Sequence, residues 1–271
     1  MAYTIQEIES LDLPELALYC TLKRPEEHER AGLVVAANAK IVERLLASRF
    51  TVVSALLTPD WFARLEPSLR ARPEEIRVFV GEKPLLENIA GYKLHQGVLA
   101  AAKIPHQPGL EALLQNSPRP LLLAAIEGLA SAENVGAVVR SAAAFGVHIL
   151  ITGETCISPF QRRAISGSMG AIFEQPIFVS PNLCDTLALL RSRGIRCIAA
   201  HPQPGALELS KVDLRSDCCL VFGAEGPGLT AATIAACDAT AKIPMPTFMN
   251  SLNVASAATV FLYEAHRQRS P

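Results

Sequence analysis

Continuous apolar runs separated by amphipathic stretches set the rhythm of the later part of the chain. "LLLAAIE" (121–127) and "CCLVFG" (218–223) carry no polar alternation until their last residues. Short runs of that kind predict strands covered on both faces, the habit of a parallel sheet. Further strands are predicted at 147–152, 195–200 and 239–243. Between them the spacing of apolar positions predicts helices over 134–146 (stopped by Gly146), 182–193 and 229–237, and a terminal helix from about 252. Regular alternation of strand and helix predicts an α/β fold.

The earlier part has the same character on a smaller scale. "GLVVAANAKIVERLLASRF" (32–50) reads as a strand followed by an amphipathic helix, and "VVSALLT", "IRVFV" and "GVLAAA" read as further strands. A seam follows in "AKIPHQPGLEALLQNSPRP" (102–120), where four prolines surround one short helical stretch. The expected organisation is a small α/β domain over 16–103, a linker over 104–118 and a larger α/β domain over 119–271.

Composition narrows the possibilities. Half of the 271 residues are hydrophobic and 19% are charged, which fits a globular chain with a substantial core. The net charge of −1 supplies no global attraction for a polyanion, so any nucleic acid must be held by local clusters. The seven cysteines are odd in number and form no C-x-x-C pair. They predict neither a disulfide framework nor a zinc site, but small core residues in a reducing cytoplasm. The N-terminus has no basic start or apolar signal core, and no apolar run is long enough for a bilayer. A cytoplasmic protein without a membrane or metal partner is expected.

Ligands of parallel α/β sheets sit in loops at the carboxyl ends of strands. Three loops qualify, after residues 127, 223 and 243. In the first, "EGLASAENVGAVVR", Asn134 occupies an expected N-cap position. Arg140 follows about a turn and a half later among apolar neighbours, where an anionic partner is expected. In the second, "VFGAEGPGL", glycines 223, 226 and 228 let backbone approach a ligand. Their spacing is G-x-x-G-x-G, not the dinucleotide-binding G-x-G-x-x-G, and Glu225 among them would repel phosphate. In the third, "IPMPTFMNSLNVASAATVFLYEA", Pro244 and Pro246 stiffen the loop. Ser251 is expected to cap the last helix and Asn253 to point from its first turn.

"NVGAVVR", "LVFGAEGPGL" and "IPMPTFMNSLNVASAATVFLYEA", in that order, resemble the three motifs of the SpoU/TrmH-type RNA ribose 2′-O-methyltransferases of the SPOUT superfamily. "KRPEEHERAGLVVAANAKIVERLLAS" and "LHQGVLAAAKIP" resemble the small RNA-binding domain that precedes the catalytic domain in many members. Two departures stand out. "PTFMN" is bulkier than the family's glycine-containing segment after "IPM", and "VAANAK" replaces an acidic-Gly pair.

The resemblance implies a catalytic domain with a deep C-terminal trefoil knot, working as a homodimer. It implies S-adenosyl-L-methionine as cofactor, held around Ala200, Gly223, Glu225, Gly226, Gly228, Ile243, Met245, Ser251 and Leu252. It places Arg140, Asn134, Glu225, Ser251 and Asn253 among the catalytic polar residues, with no metal. Lys23, Arg24, Arg162 and Arg163 are candidate RNA contacts, from local charge alone. The implied reaction is methylation of a ribose 2′-hydroxyl in structured RNA, with 23S-type ribosomal RNA as first reading. Transfer RNA, and a catalytically silent RNA-binding ribosome-assembly factor, are the alternatives.

Overall fold

In the computed structural model, which describes every residue except 1–2, 11–12, 23, 92–95, 247, 250 and 271, the early apolar runs form a mixed five-stranded sheet. Its strands are β1 (Tyr3–Glu7), β2 (Leu33–Ala37), β3 (Val52–Leu57), β4 (Ile76–Val80) and β5 (Val98–Lys103), in the order β1-β4-β3-β5-β2. β1, β4 and β3 run parallel, whereas β5 is antiparallel to both β3 and β2. Helices α1 (Ala17–Cys20), α2 (Pro25–Arg30), α3 (Ala39–Ala47), α4 (Pro59–Arg70) and α5 (Lys83–Ala90) connect the strands. α3 follows its sequence pattern: Ile41, Val42, Leu45 and Leu46 are buried, at the spacing of one helix face. Leu16, Tyr19, Val35, Leu56, Phe79 and Leu99 lie at the centre of one cluster. The Tyr19 hydroxyl meets Ser54 Oγ at 2.8 Å, which satisfies both buried polar groups.

The later runs form a seven-stranded sheet in which every pairing is parallel. The elements are α6 (Leu110–Asn116), β6 (Leu122–Ile126), α7 (Ala132–Ala144), β7 (Ile149–Thr152), α8 (Arg162–Gly167), β8 (Ile177–Val179) and α9 (Leu183–Ser192). They continue with β9 (Arg196–Ala200), β10 (Leu207–Glu208), β11 (Cys218–Phe222), α10 (Ala231–Ala235), β12 (Ala239–Lys242) and α11 (Val254–Arg269). The strand order is β10-β12-β9-β11-β6-β7-β8. Phe222 pairs with Ile126, and Ala200 with Ala241, so the carboxyl ends of β6, β9, β11 and β12 share one edge. That register is what brings the three candidate loops together. α11 packs on α7, and the hydroxyls of Ser141 and Thr259 meet at 2.7 Å.

The expected parallel sheet is present, with two strands more than the pattern predicts. β8 and β10 have three and two residues, too few to establish a period. Helix starts also shift: α7 begins at Ala132 and α11 at Val254.

Packing divides the chain differently from contiguous stretches 16–103 and 119–271. Residues 1–106 and 160–174 make one compact unit; residues 107–159 and 175–271 make the other. The first unit takes in β1, ahead of residue 16, because β1 extends the sheet beside β4. It also takes in 160–174, because Phe160, Ile165, Ile172 and Phe173 are buried. The Phe173 ring lies edge-on to Phe50 at 5.2 Å between centroids. Arg44 adds a hydrogen bond from Nη1 to the Met169 carbonyl at 2.6 Å.

His148, just before β7, is tied to the second sheet. Its Nδ1 accepts the Leu122 N–H at 3.0 Å, so that nitrogen carries no proton. Burial and the Arg269 guanidinium hold the His148 pKa below the ordinary histidine value. The unfolded chain therefore takes up a proton at a pH where the folded chain does not. The resulting stability is complete above the ordinary histidine range and is lost as pH falls through it. Urea denaturation of the wild-type protein should show stability falling between about pH 7 and pH 5. His148→Leu should be less stable at neutral pH and show a smaller further loss on acidification. An equal acid loss in both proteins would exclude His148 as a contributor.

Candidate active site

The first loop leaves β6 at Glu127 and enters α7. Ser131, not Asn134, caps α7: its Oγ accepts the Asn134 N–H at 3.2 Å. Asn134 thus sits in the first turn with its side chain released for a distant partner. That partner is Glu225, whose carboxylate accepts a hydrogen bond from Asn134 Nδ2.

The second loop leaves β11 at Gly223 and returns on itself at once. Ala224 and Gly228 exchange two backbone hydrogen bonds, of 3.1 and 3.0 Å. A Cβ on Gly223 would stand 2.3 Å from backbone atoms of Gly228 and Leu229, so no side chain fits there. Gly226 turns the tip at φ 82°, in the left-handed region. The loop presents Glu225 at its tip, exposed. Its exit is anchored by Glu127, whose carboxylate accepts the Thr230 N–H at 2.8 Å. The same group accepts the Thr230 hydroxyl at 2.9 Å and the buried Thr233 hydroxyl at 2.6 Å. A carboxylate at the start of α10 also meets the positive end of the helix dipole. Sequence reading counted Glu127 as a strand end and missed this role. The signal was one acid closing a wholly apolar run.

The third loop leads from β12 into α11, and its capping roles are the reverse of those expected. Asn253 is the N-cap, with Oδ1 accepting from the N–H groups of Ala255 at 2.9 Å and Ser256 at 3.4 Å. Ser251 stands free of the helix, exposed, two residues earlier. Because the Asn253 oxygen faces the helix, its Nδ2 must face outward. There it donates to the Glu225 carboxylate at 2.8 Å and to Asn134 Oδ1 at 3.2 Å. Three side chains from three loops, far apart in sequence, meet at one point.

Beside this cluster lies a cavity of about 340 Å³. Ala200, Gly223, Glu225, Gly226, Gly228, Ile243, Met245, Ser251 and Leu252 all line it. Phe222, Val254 and Phe261 supply an apolar wall, with the two rings edge-to-face at 5.7 Å. His201 and Lys242, which sequence reading did not single out, add polar groups. Backbone amides and carbonyls from a glycine loop, facing an apolar wall, suit a ligand with a flat ring system and a polar tail.

The anion expected beside Arg140 is not supplied by the described residues. Arg140 lies exposed on α7, outside the cavity lining, and has no hydrogen-bond or ion-pair partner among the described residues. Its apolar neighbours Val138, Val139 and Ala142 face the core while Arg140 faces out, so burial demands no anion from this chain. Arg24 is exposed and paired with Glu27 at 3.1 Å. Arg162 is half-buried and Arg163 exposed, both on α8 in the first unit. Lys23 lies outside the described residues. Among the described residues no group of three or more His, Cys, Asp or Glu could hold a metal. No described helix is long and apolar enough to cross a membrane.

Comparison with known proteins bears on this geometry. A sequence model of the SpoU rRNA Methylase family matches residues 122–263. The chain is 32% identical over 248 residues to an uncharacterized tRNA/rRNA methyltransferase of Mycobacterium bovis, covering 90% of this chain and 84% of that protein. It is 36% identical over 208 residues to the 23S rRNA (guanosine-2′-O-)-methyltransferase RlmB of Acinetobacter baylyi, covering 73% and 82%. Its fold matches the AdoMet-bound rRNA methyltransferase of Sinorhizobium meliloti with a TM-score of 0.84 at 22% identity, over 97% of this chain and 98% of that one. It matches the SpoU methyltransferase AviRb of Streptomyces viridochromogenes at 0.79 and 26% identity, over 93% and 96%.

Two substitutions separate the roles of Asn253. Asn253→Ala removes both cap and donor and should cost about 1 kcal/mol in chemical denaturation. Asn253→Asp keeps the cap acceptor but sets a second carboxylate against Glu225. Its stability should fall short of wild type at neutral pH and recover near pH 4, where one of the two carboxyls holds a proton. A pH-independent deficit would show that the amide does not bind Glu225.

Proposed function

The chain belongs to the SpoU rRNA Methylase family, and from that membership we propose that it transfers a methyl group from S-adenosyl-L-methionine to a ribose 2′-hydroxyl of structured RNA. The reading for the substrate is 23S-type ribosomal RNA, after the relatives that carry that name. The observation that carries the proposal is the junction of Asn134, Glu225 and Asn253 beside the glycine-lined cavity.

The cavity residues fit the cofactor. An apolar wall of Phe222, Val254 and Phe261 suits an adenine ring, and the peptide groups of Gly223–Gly228 and Ile243–Met245 offer donors and acceptors. When bound, the cofactor supplies a methyl group activated by a positively charged sulfur. The chain's own residues then have to handle the other reactant. A ribose hydroxyl is a poor nucleophile at neutral pH, so its proton must be drawn away or its developing charge stabilised. Arg140 is the candidate for that task. Its guanidinium is exposed and uncompensated among the described residues, on the same helix as Asn134. A planar fork of N–H donors can orient the hydroxyl, with an RNA phosphate as its anionic partner, and stabilise the alkoxide as it forms. Asn134 and Glu225 hold the start of α7 and the glycine loop in register. Asn253 fixes α11, and Ser251 at the cavity edge positions the ribose.

Two further features of the family reading have support. The chain returns after β12 to pack α11 on α7 and β11, although β12 lies beyond β9 in the sheet; that crossing suits a C-terminal knot. Val260 and Tyr263 lie exposed on α11, a surface suited to a second subunit. The small N-terminal sheet would contribute RNA affinity, with Arg24 and Arg163 as exposed cations.

Mapping of 2′-O-methyl sites in total RNA, with and without this gene, tests the activity directly. Loss of a ribosomal RNA mark is the expected outcome; loss of a transfer RNA mark would favour the other substrate. Arg140→Ala should leave folding and calorimetric cofactor binding near normal and slow single-turnover methyl transfer roughly 100-fold or more. Arg140→Lys keeps charge without the fork and should restore little. Near-normal transfer in the Ala variant would remove Arg140 from the mechanism.

A further inference from the structure

The loop between β12 and α11 carries a feature that neither the cavity nor the fold uses. Phe248 is 80% exposed, and its ring pairs with no other ring among the described residues. Met249 and Leu252 beside it are exposed at 44% and 39%. Both flanks of the loop are committed. Met245 on one side and Ser251 on the other line the cavity, and Asn253 joins the polar junction. Pro244 and Pro246 fix two backbone torsions. The Met249 N–H donates to the Pro246 carbonyl at 2.9 Å. An exposed aromatic ring thus sits within a few residues, along the chain, of two side chains that line the cavity.

We infer that Phe248 is a stacking platform for an unpaired RNA base next to the reacting ribose. The inference rests on the RNA reading above and goes beyond it by assigning a base-contacting residue. Three observations favour a nucleobase over another occupant. The ring stands on a turn, not on a helix face such as the one that carries Val260 and Tyr263. It lies three residues along the chain from Met245 and from Ser251, which line the cavity at which a ribose must arrive, and a base lies one glycosidic bond from its ribose. Finally, RNA is commonly read where bases are unstacked, on exposed aromatic faces. Stacking needs no particular base, so Phe248 would select unpaired geometry and leave base identity to other contacts.

The test uses the full chain and a single-stranded RNA oligonucleotide with a central 2-aminopurine, whose fluorescence is quenched on stacking. Phe248→Ala should weaken binding roughly tenfold and abolish the protein-induced quenching. Phe248→Trp should restore both, and Phe248→Leu, apolar but not aromatic, should restore neither. An oligonucleotide lacking the central base should bind wild type and the Ala variant equally. Cofactor affinity by calorimetry and sedimentation behaviour should be unchanged in all three variants. Wild-type binding and quenching in Phe248→Leu would overturn the proposal. So would a smaller sedimenting species in Phe248→Ala with RNA affinity intact, since the ring would then be a subunit contact. Methyl transfer to ribosomal RNA by the wild-type enzyme is scored separately. An active enzyme whose Ala variant binds the oligonucleotide normally loses the stacking platform but keeps the function.

Discussion

The site is organised by one carboxylate. Glu225 accepts from Asn134 on α7 and from Asn253 at the start of α11, and so links three loops that the sheet merely brings near. The asymmetry of an amide makes the arrangement directional. The Asn253 oxygen is used by two N–H groups of α11, so its nitrogen has to find an acceptor elsewhere. Each exposed hydrogen bond of this kind contributes about 1 kcal/mol, too little to hold a fold but enough to select one loop arrangement among several. A glutamate in a glycine-rich loop repels phosphate, and here it holds amide donors instead. This explains why the loop resembles a nucleotide cradle in composition and not in chemistry.

The rest of the site depends on that junction being offered at the right place. Parallel pairing puts the ends of β6, β9, β11 and β12 on one edge. Glu127 anchors the exit of the glycine loop through Thr230 and Thr233, and the crossing at Gly223 fixes its entrance. Between these fixed points the loop can expose peptide groups to the cavity without collapsing on it. Charge is treated differently: among the described residues Arg140 is left uncompensated, on the surface of the same helix that carries Asn134. A cation that the chain does not neutralise remains available to an incoming anion. This suits a reaction whose second reactant carries phosphates on either side of the target ribose.

Much of this was legible in the sequence, for identifiable reasons. Buried parallel strands leave long apolar runs, so β6, β7, β9 and β11 could be read directly. β8 and β10 could not, because two or three residues establish no period. The residues around the cavity were legible as motifs, yet the capping roles were exchanged. Ser131 and Asn134, like Ser251 and Asn253, are both competent caps. What decides between Ser131 and Asn134 is Glu225, 91 residues away from Asn134. Local propensity holds no information about that partner. The described residues supply no anion to Arg140 for a related reason: apolar neighbours in sequence are not neighbours on one helix face.

The same distinction between sequence and packing governs how the chain can be divided. Phe160–Glu174 interrupts the later half yet buries Phe160, Ile165, Ile172 and Phe173 in the first unit. A chain cut at the linker would leave these side chains without Phe50 and its neighbours, and uncovering several large apolar residues at about 1.5–3 kcal/mol each is a heavy penalty. Arg163, which lies among catalytic-domain residues in sequence, is carried by the same unit as Arg24. The proposed RNA contacts Arg24 and Arg163 thus belong to one packed body, whereas Arg140 and the glycine-lined cavity belong to the other. The chain passes between the two bodies three times, after His106, Pro159 and Glu174. Selection acting on substrate contacts is therefore constrained by the packing of Phe173 against Phe50 as well as by the RNA.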